Sequence, residues 1–241
     1  MQDSKYLNKF PHQRFWCGNK QKREQIKHYD DFKYNVSFDK VNLVNRYFAK
    51  NVINLIKDKP GNTDKVLYIA CGNGGEIKLI GRGIGADISY NCVKNVVKLG
   101  YPGIVCDVEN LPFINDHFDY VFSSSMHHFY DFDKAFSEIY RVCKKGGRIV
   151  LGPETHRYSL DQYLYNTIFR YWKAEKGMLR LTPRKIIKLF QAHKLNDIQY
   201  YYKGIAPIVL NSAIEKIFDI LTERLPNSLF FWAHFYITGV K

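Results

Sequence analysis

The residues of this chain best suited to chemistry stand between Val66 and Gly75, in the run VLYIACGNGG. An apolar run fit for a buried strand stops at a Cys-Gly-Asn-Gly-Gly turn, and helical sequence resumes at once. Gly72, Gly74 and Gly75 let the chain turn tightly and let a ligand come up against the main chain. The helix that follows presents unpaired N–H groups and the positive end of its dipole. The dinucleotide fingerprint G-x-G-x-x-G is not met, because position 77 is Ile. Two carboxylates follow. Asp87, in GADIS, ends the next strand, where a carboxylate can accept from both hydroxyls of a ribose. Asp107, in CDVENLPF, ends a third strand, where it can accept from an exocyclic amine such as that of adenine. Either Asp alone could simply cap a following helix. Both together, at successive strand ends beside a glycine turn, describe a nucleoside site.

The elements that must position these groups are legible from periodicity. Short apolar runs alternate with helical stretches. The expected order is a strand over Lys65–Ala70, helix Gly75–Gly81, strand Ile84–Asp87, helix Tyr90–Leu99, strand Gly103–Asp107 and strand Phe118–Ser123. Next come helix Phe132–Cys143, a break at Lys144-Lys145-Gly146-Gly147, and strand Arg148–Gly152. Continuous apolar strands are covered on both faces. The expected architecture is therefore α/β, a doubly wound, mostly parallel sheet with helices on both faces. Before this core lies an arm, residues 1–38, with one short helix near 19–28, and then a helix from Asp39 ended by Pro60-Gly61. After it the pattern predicts a helix over Tyr158–Lys173 and a helix over Pro183–His193, opened by Thr182 as cap. A strand over Asp197–Tyr202, a helix over Val209–Leu225 and a last strand over Leu229–Ile237 complete the chain.

Residues 65–153 resemble the cofactor domain of class I S-adenosylmethionine-dependent methyltransferases, in the small-molecule subgroup that includes the ubiquinone and menaquinone biosynthesis enzymes. VLYIACGNGG resembles that family's V-L-D-x-G-C-G-x-G, and EIYRVCKKGGRIVLG resembles its E-x-x-R-V-L-K-P-G-G run. GADIS, DVENLPF and FDYVFSSSMHH resemble the intervening segments, in order. The resemblance implies a Rossmann-like methyltransferase fold with seven strands and S-adenosyl-L-methionine as cofactor. It implies one domain: the arm, a cofactor-binding core over 39–153, a substrate cover over 154–203, and a helix and strand over 204–241 completing the sheet. Cofactor contacts are then expected along Tyr68, Ala70, Cys71, Gly72 and Gly74. Gly72 and Gly74 would face the methionine part, Asp87 with Ile88 the ribose, Asp107 with Val108 the adenine, and Ser124 the methionine end. Two positions depart from the family pattern. Its acid at the end of the first strand is Tyr68 here, and its first glycine is Ala70. The lost acid would weaken the hold on the cofactor's ammonium by about 1–3 kcal/mol. Ala70 is tolerated unless the position needs a positive φ.

Methyl transfer from a sulfonium is an in-line displacement, so alignment and exclusion of water matter most. A carbon or oxygen nucleophile also needs a base. The candidates are His128 and His127 after the fourth strand, His128 preferred, and Glu154 just past the fifth. Tyr29, in the arm's HYDDF segment, is a candidate to close over the cofactor. The expected acceptor is a small, hydrophobic or aromatic molecule bearing an anionic group. The cover is basic and aromatic (HRYSLDQYLYNTIFRYWKAEKGMLR), which suits such a molecule, or a peripheral membrane surface. Two alternatives stand beside this reading. One is an RNA methyltransferase, since some tRNA wobble-uridine enzymes resemble the subgroup, although no appended RNA module is visible. The other is a methyltransferase fold that has lost catalysis, motivated by Tyr68 and Ala70. The SSSMHH run after the fourth strand departs from the Pro-Pro loop of DNA amino-methyltransferases and disfavours that activity.

Composition sets the bounds. In 241 residues, 46% are apolar and 16% aromatic, too many for a solvated coil. The net charge of +13 divides into +6 over 1–64, +1 over 65–153, +6 over 154–203 and zero over 204–241. The core is neutral and its flanks are basic, as an anionic partner would favour, although frequent Lys alone gives the same excess. Five cysteines at 17, 71, 92, 106 and 143 form no C-x-x-C pair, which predicts neither a disulfide framework nor a metal site. The polar start and the lack of a long apolar run predict a cytoplasmic chain. The oligomeric state leaves no trace in the sequence.

Overall fold

The computed structural model describes residues 20–31, 60–124, 126–155, 181–203 and 234–241. Its centre is β1 (Val66–Ile69), whose four side chains are all buried. Alternation sends them to opposite faces. Leu67 and Ile69 enter one apolar layer, with Phe132, Phe136, Ile139 and Phe190. Val66 and Tyr68 enter the other, with Ile77, Val96, Phe122 and Tyr236. A strand buried on both sides is what a continuous VLYI run requires.

The remaining elements follow in chain order. After the arm helix α1 (Lys20–Asp31) and β1 come α2 (Gly75–Ile80), β2 (Ile84–Asp87), α3 (Tyr90–Lys98) and β3 (Gly103–Val105). Then come β4 (Phe118–Ser123), α4 (Phe132–Val142), β5 (Cys143–Thr155), α5 (Pro183–Ala192), β6 (Asn196–Lys203) and β7 (His234–Val240). The sheet order is β3-β2-β1-β4-β5-β7-β6. β1 pairs in parallel with β2 and β4, and β7 runs antiparallel to both β5 and β6. The strand order turns back between β1 and β4, so a crevice opens at their carboxyl ends, the usual ligand position in such sheets. This is the Rossmann-like α/β sheet, mostly parallel and seven-stranded, that the sequence predicts.

Helix starts follow local chemistry. Ser89 caps α3 by accepting from the Cys92 N–H, Asp131 caps α4 by accepting from Lys134, and Thr182 caps α5 ahead of Pro183. Among the boundaries that differ from the sequence expectation, three have a clear physical cause. Lys144–Gly147 does not interrupt the strand: β5 begins at Cys143, and a bulge absorbs the extra residues. Gly146 sits at φ +78° and its N–H donates to the Lys241 carbonyl, so the glycine pair joins the sheet instead of leaving it. β7 extends to Val240, three residues beyond the apolar run, because Gly239 leaves room for Phe190 against the strand. β3 stops at Val105, short of Asp107, which caps a 3-10 turn over Val108–Asn110. The helices expected at 39–56, 158–173 and 209–225 lie outside the described residues.

Candidate active site

The glycine turn leaves β1 through Ala70, whose φ of +52° lies in the left-handed region. An alanine there is strained by about 1–2 kcal/mol relative to glycine. Ala70 is therefore more than a neutral replacement. Gly72 follows at φ +49°, and a Cβ built on it would meet nothing within 4 Å, so its main chain faces open space. Gly74, at φ +78°, is turned the other way: a Cβ there would press on Val96 and Leu99 at 3.1 and 3.2 Å. Gly74 thus serves the packing of the turn on α3, and the open approach is at Gly72. Cys71, just before Gly72, is buried and donates its N–H to the Ala86 carbonyl.

Asp87 stands across from this turn at the end of β2. One carboxylate oxygen accepts from the Gly72 N–H at 3.0 Å and the other from the Ser89 N–H at 2.9 Å. The Ile88 N–H adds a further hydrogen bond. Burial raises the Asp87 pKa to about 6 against the pull of these N–H donors, and the nearby Asp30 carboxylate adds to the rise. Three thiols, Cys71, Cys92 and Cys106, lie around Asp87, and burial holds each of them protonated. All four described cysteines are free and buried, and no cluster among the described residues is built to hold a metal.

Asp107 lies one strand further out, with Val108 half-buried beside it. One of its oxygens accepts from the Glu109 N–H at 3.0 Å, and the other lies 2.6 Å from the Lys22 ammonium. The same ammonium lies 2.6 Å from Glu109. Burial works against the charge on Lys22, but the two carboxylates outweigh it and raise its pKa above the usual value. Lys22 belongs to α1. At the other end of that helix Asp30 accepts from the Ser89 hydroxyl at 2.8 Å, and its carbonyl accepts from the Asn91 amide at 2.7 Å. The arm helix therefore lies across the carboxyl ends of β2 and β3. The Tyr29 side chain lies outside the described residues.

Tyr68 does not reach the crevice. Its ring is 2% exposed and stacks on Phe122 with centroids 5.1 Å apart. Its hydroxyl finds no hydrogen-bond partner among the described residues. Gly83, at φ +120°, makes room for the ring, since a Cβ there would lie 2.6 Å from it. At the end of β4, beside β1, Ser124 is half-buried and its hydroxyl bonds the Glu76 carboxylate. His128 is half-buried in a 3-10 turn over Met126–His128. His127 shares that turn, and Glu154 lies on β5 beyond a bulge; the side chains of both lie outside the described residues. The loop after Asp107 is held from α4. The Leu111 N–H donates to Glu138 at 2.8 Å, and Arg141 donates to the carbonyls of Leu111 and Phe113.

The structure thus brings Gly72, Asp87 and Asp107 to one edge, with Ser124 across β1 from them. It adds Lys22, Asp30, Glu76 and Glu109, which the sequence reading did not single out. Glu76 had a local signal, as the acid directly after the glycine turn. The others are paired only by the fold.

Residues 67–151 match a family described as "Methyltransferase domain". Over these residues the chain carries a methyltransferase domain. A relative, an uncharacterised protein of Methanocaldococcus jannaschii, is 28% identical over 180 residues, covering 73% of this chain and 70% of that one. A S-adenosylmethionine-dependent methyltransferase of Thermotoga maritima superposes with a TM-score of 0.68 at 17% identity, over 89% of this chain and 99% of the other. Haemonchus contortus phosphoethanolamine N-methyltransferase 2, solved with S-adenosyl-L-methionine, gives a TM-score of 0.60 at 18% identity, over 95% of this chain and 60% of that one. At these identities the structural likeness shows the shared fold. The residues at this edge suit S-adenosyl-L-methionine: Gly72 offers bare main chain, Asp87 a carboxylate for a diol, and the buried thiols a dry floor. No helix among the described residues is long and apolar enough to cross a membrane.

Proposed function

We propose that this methyltransferase moves a methyl group to an O, C or N atom of a small acceptor with a hydrophobic or aromatic body and an anionic group. The observation that carries the cofactor end is the 3.0 Å hydrogen bond from Gly72 to Asp87. It fixes the open glycine and the ribose acid as one unit, so that the nucleoside would lie over β1 and β2. Adenine would then lie towards Asp107 and Val108, and the amino-acid end towards Ser124. Bound there, the cofactor supplies a methyl on a positively charged sulfur, already activated as a leaving group.

The chain's own part is to bind, orient and keep water out. His128, close to the β1–β4 crevice, is the preferred base for a hydroxyl or carbon acceptor, with His127 and Glu154 as the further candidates. An amine acceptor needs only to arrive unprotonated. The basic and aromatic run from His156 to Arg180 suits an anionic, apolar acceptor. The Haemonchus contortus neighbour, named for phosphoethanolamine, is a relative in fold whose named acceptor is small and anionic. The test is transfer of labelled methyl to a panel of small aromatic acids, phosphorylated amines and neutral counterparts. Turnover confined to the anionic members is the expected result. Transfer to tRNA with none to any small molecule would overturn the acceptor reading.

A further inference from the structure

The donor's amino-acid end carries an ammonium, and the described carboxylates differ sharply in their freedom to meet it. Asp107 and Glu109 already share the Lys22 ammonium. Asp87 is held by the N–H groups of Gly72 and Ser89 on the β2 side. Tyr68 offers no charge, and its hydroxyl is turned into the apolar layer. Glu76 is different. It stands in the first turn of α2, directly after the glycine turn, and Ser124 at the end of β4 bonds its carboxylate. β4 is the neighbour of β1, with Ser123 level with Ile69, so Glu76 and Ser124 bracket the end of β1 from two sides. Glu76 pairs with no cationic side chain among the described residues. A half-buried carboxylate held by a hydroxyl and its own backbone N–H, with no cation paired to it among the described residues, gains from an incoming cation.

We infer that Glu76 supplies the anion for the cofactor's α-ammonium, taking over the charge that β1 lacks at Tyr68. The inference rests on the orientation given above, with the amino-acid end over β1 and β4. Ser124 is then a positioning residue: its hydroxyl aims the carboxylate and does not itself carry charge. The expected contact is a charge-assisted hydrogen bond, which would survive in neither Glu76→Gln nor a ligand without the amine.

Calorimetric titration of the full chain tests this with two probes, S-adenosylhomocysteine and its counterpart lacking the α-amino group. In Glu76→Gln the amino ligand is expected to lose about tenfold in affinity or more, while the des-amino ligand changes by less than about twofold. Gln keeps the bond to Ser124, so thermal midpoints without ligand should match. Ser124→Ala gives a second reading, a smaller loss again confined to the amino ligand, should Glu76→Gln fail to fold. Equal losses for both ligands, or no loss for either, would overturn the role of Glu76. Failure of the unaltered protein to bind either probe would instead overturn the cofactor orientation on which the role rests.

Discussion

The ammonium of Lys22 lies 2.6 Å from Asp107, across 85 residues of sequence. With Glu109 on its other side and Asp30 bonded to Ser89, it ties the arm to the strand ends that would receive the nucleoside. Removing Lys22 would leave two carboxylates facing each other with little water between them. Lys22→Ala should destabilise the protein by about 3 kcal/mol, the scale for stripping one partner from a buried ion pair. Urea unfolding measures the loss. Hydrogen exchange should show α1 as the first element to open.

Asp87 sets a pH dependence. Its carboxyl has a pKa of about 6 in the fold, against 3.8 for a free one. The fold thus favours the protonated form, so this group's contribution to stability is full below about pH 4 and fades as pH rises through 6. Ligand binding runs the other way, since only the ionised carboxylate accepts fully from two hydroxyls. Affinity for S-adenosylhomocysteine should fall as pH drops from 7 to 5. Asp87→Asn should bind weakly and lose that slope; a slope unchanged in the variant would assign it elsewhere.

Tyr68→Phe should stabilise the protein by about 1 kcal/mol, because it removes a buried hydroxyl that has no partner among the described residues. Tyr68→Asp, which restores the family's acid, should instead cost about 3–5 kcal/mol, since it leaves a cavity beside Phe122 and buries a charge. Thermal unfolding of the two variants separates these outcomes.

Ala70→Gly should raise stability by about 1 kcal/mol, relieving the left-handed backbone at φ +52°. Denaturant midpoints measure it. A loss of stability would mean that the methyl group contributes more in packing than the strain costs.

Arg141→Ala should loosen the segment after Asp107, where the guanidinium donates to the Phe113 carbonyl at 2.7 Å and the Leu111 carbonyl at 2.9 Å. Faster hydrogen exchange at residues 111–115, with β1 unchanged, is the expected pattern.

Much of this was legible in the sequence, for local reasons. Buried strands leave continuous apolar runs, caps leave Ser89, Asp131 and Thr182, and the glycine turn announces itself between VLYI and α2. Asp87 and Asp107 could be placed because each ends or closely follows a strand. The run Lys144–Gly147 was misleading, since a glycine pair marks a break unless a distant strand pairs with it, and here Lys241 does. Lys22 and Asp30 were illegible for the same reason. Their partners are set by how the arm crosses the sheet, and such pairings leave no period. Tyr68 was visible as a departure, but its burial, and the relocation of charge to Glu76, needed the third dimension.

Gly83 and Tyr68 are locked to each other. The ring occupies the space that any side chain at position 83 would need, 2.6 Å from where a Cβ would begin. In an evolving lineage neither position drifts alone. A larger residue at 83 is barred while the tyrosine stays, and a smaller residue at 68 leaves a hole that glycine cannot fill. The two positions are therefore constrained as a pair, and a path to an acidic β1 would have to change Tyr68 before Gly83.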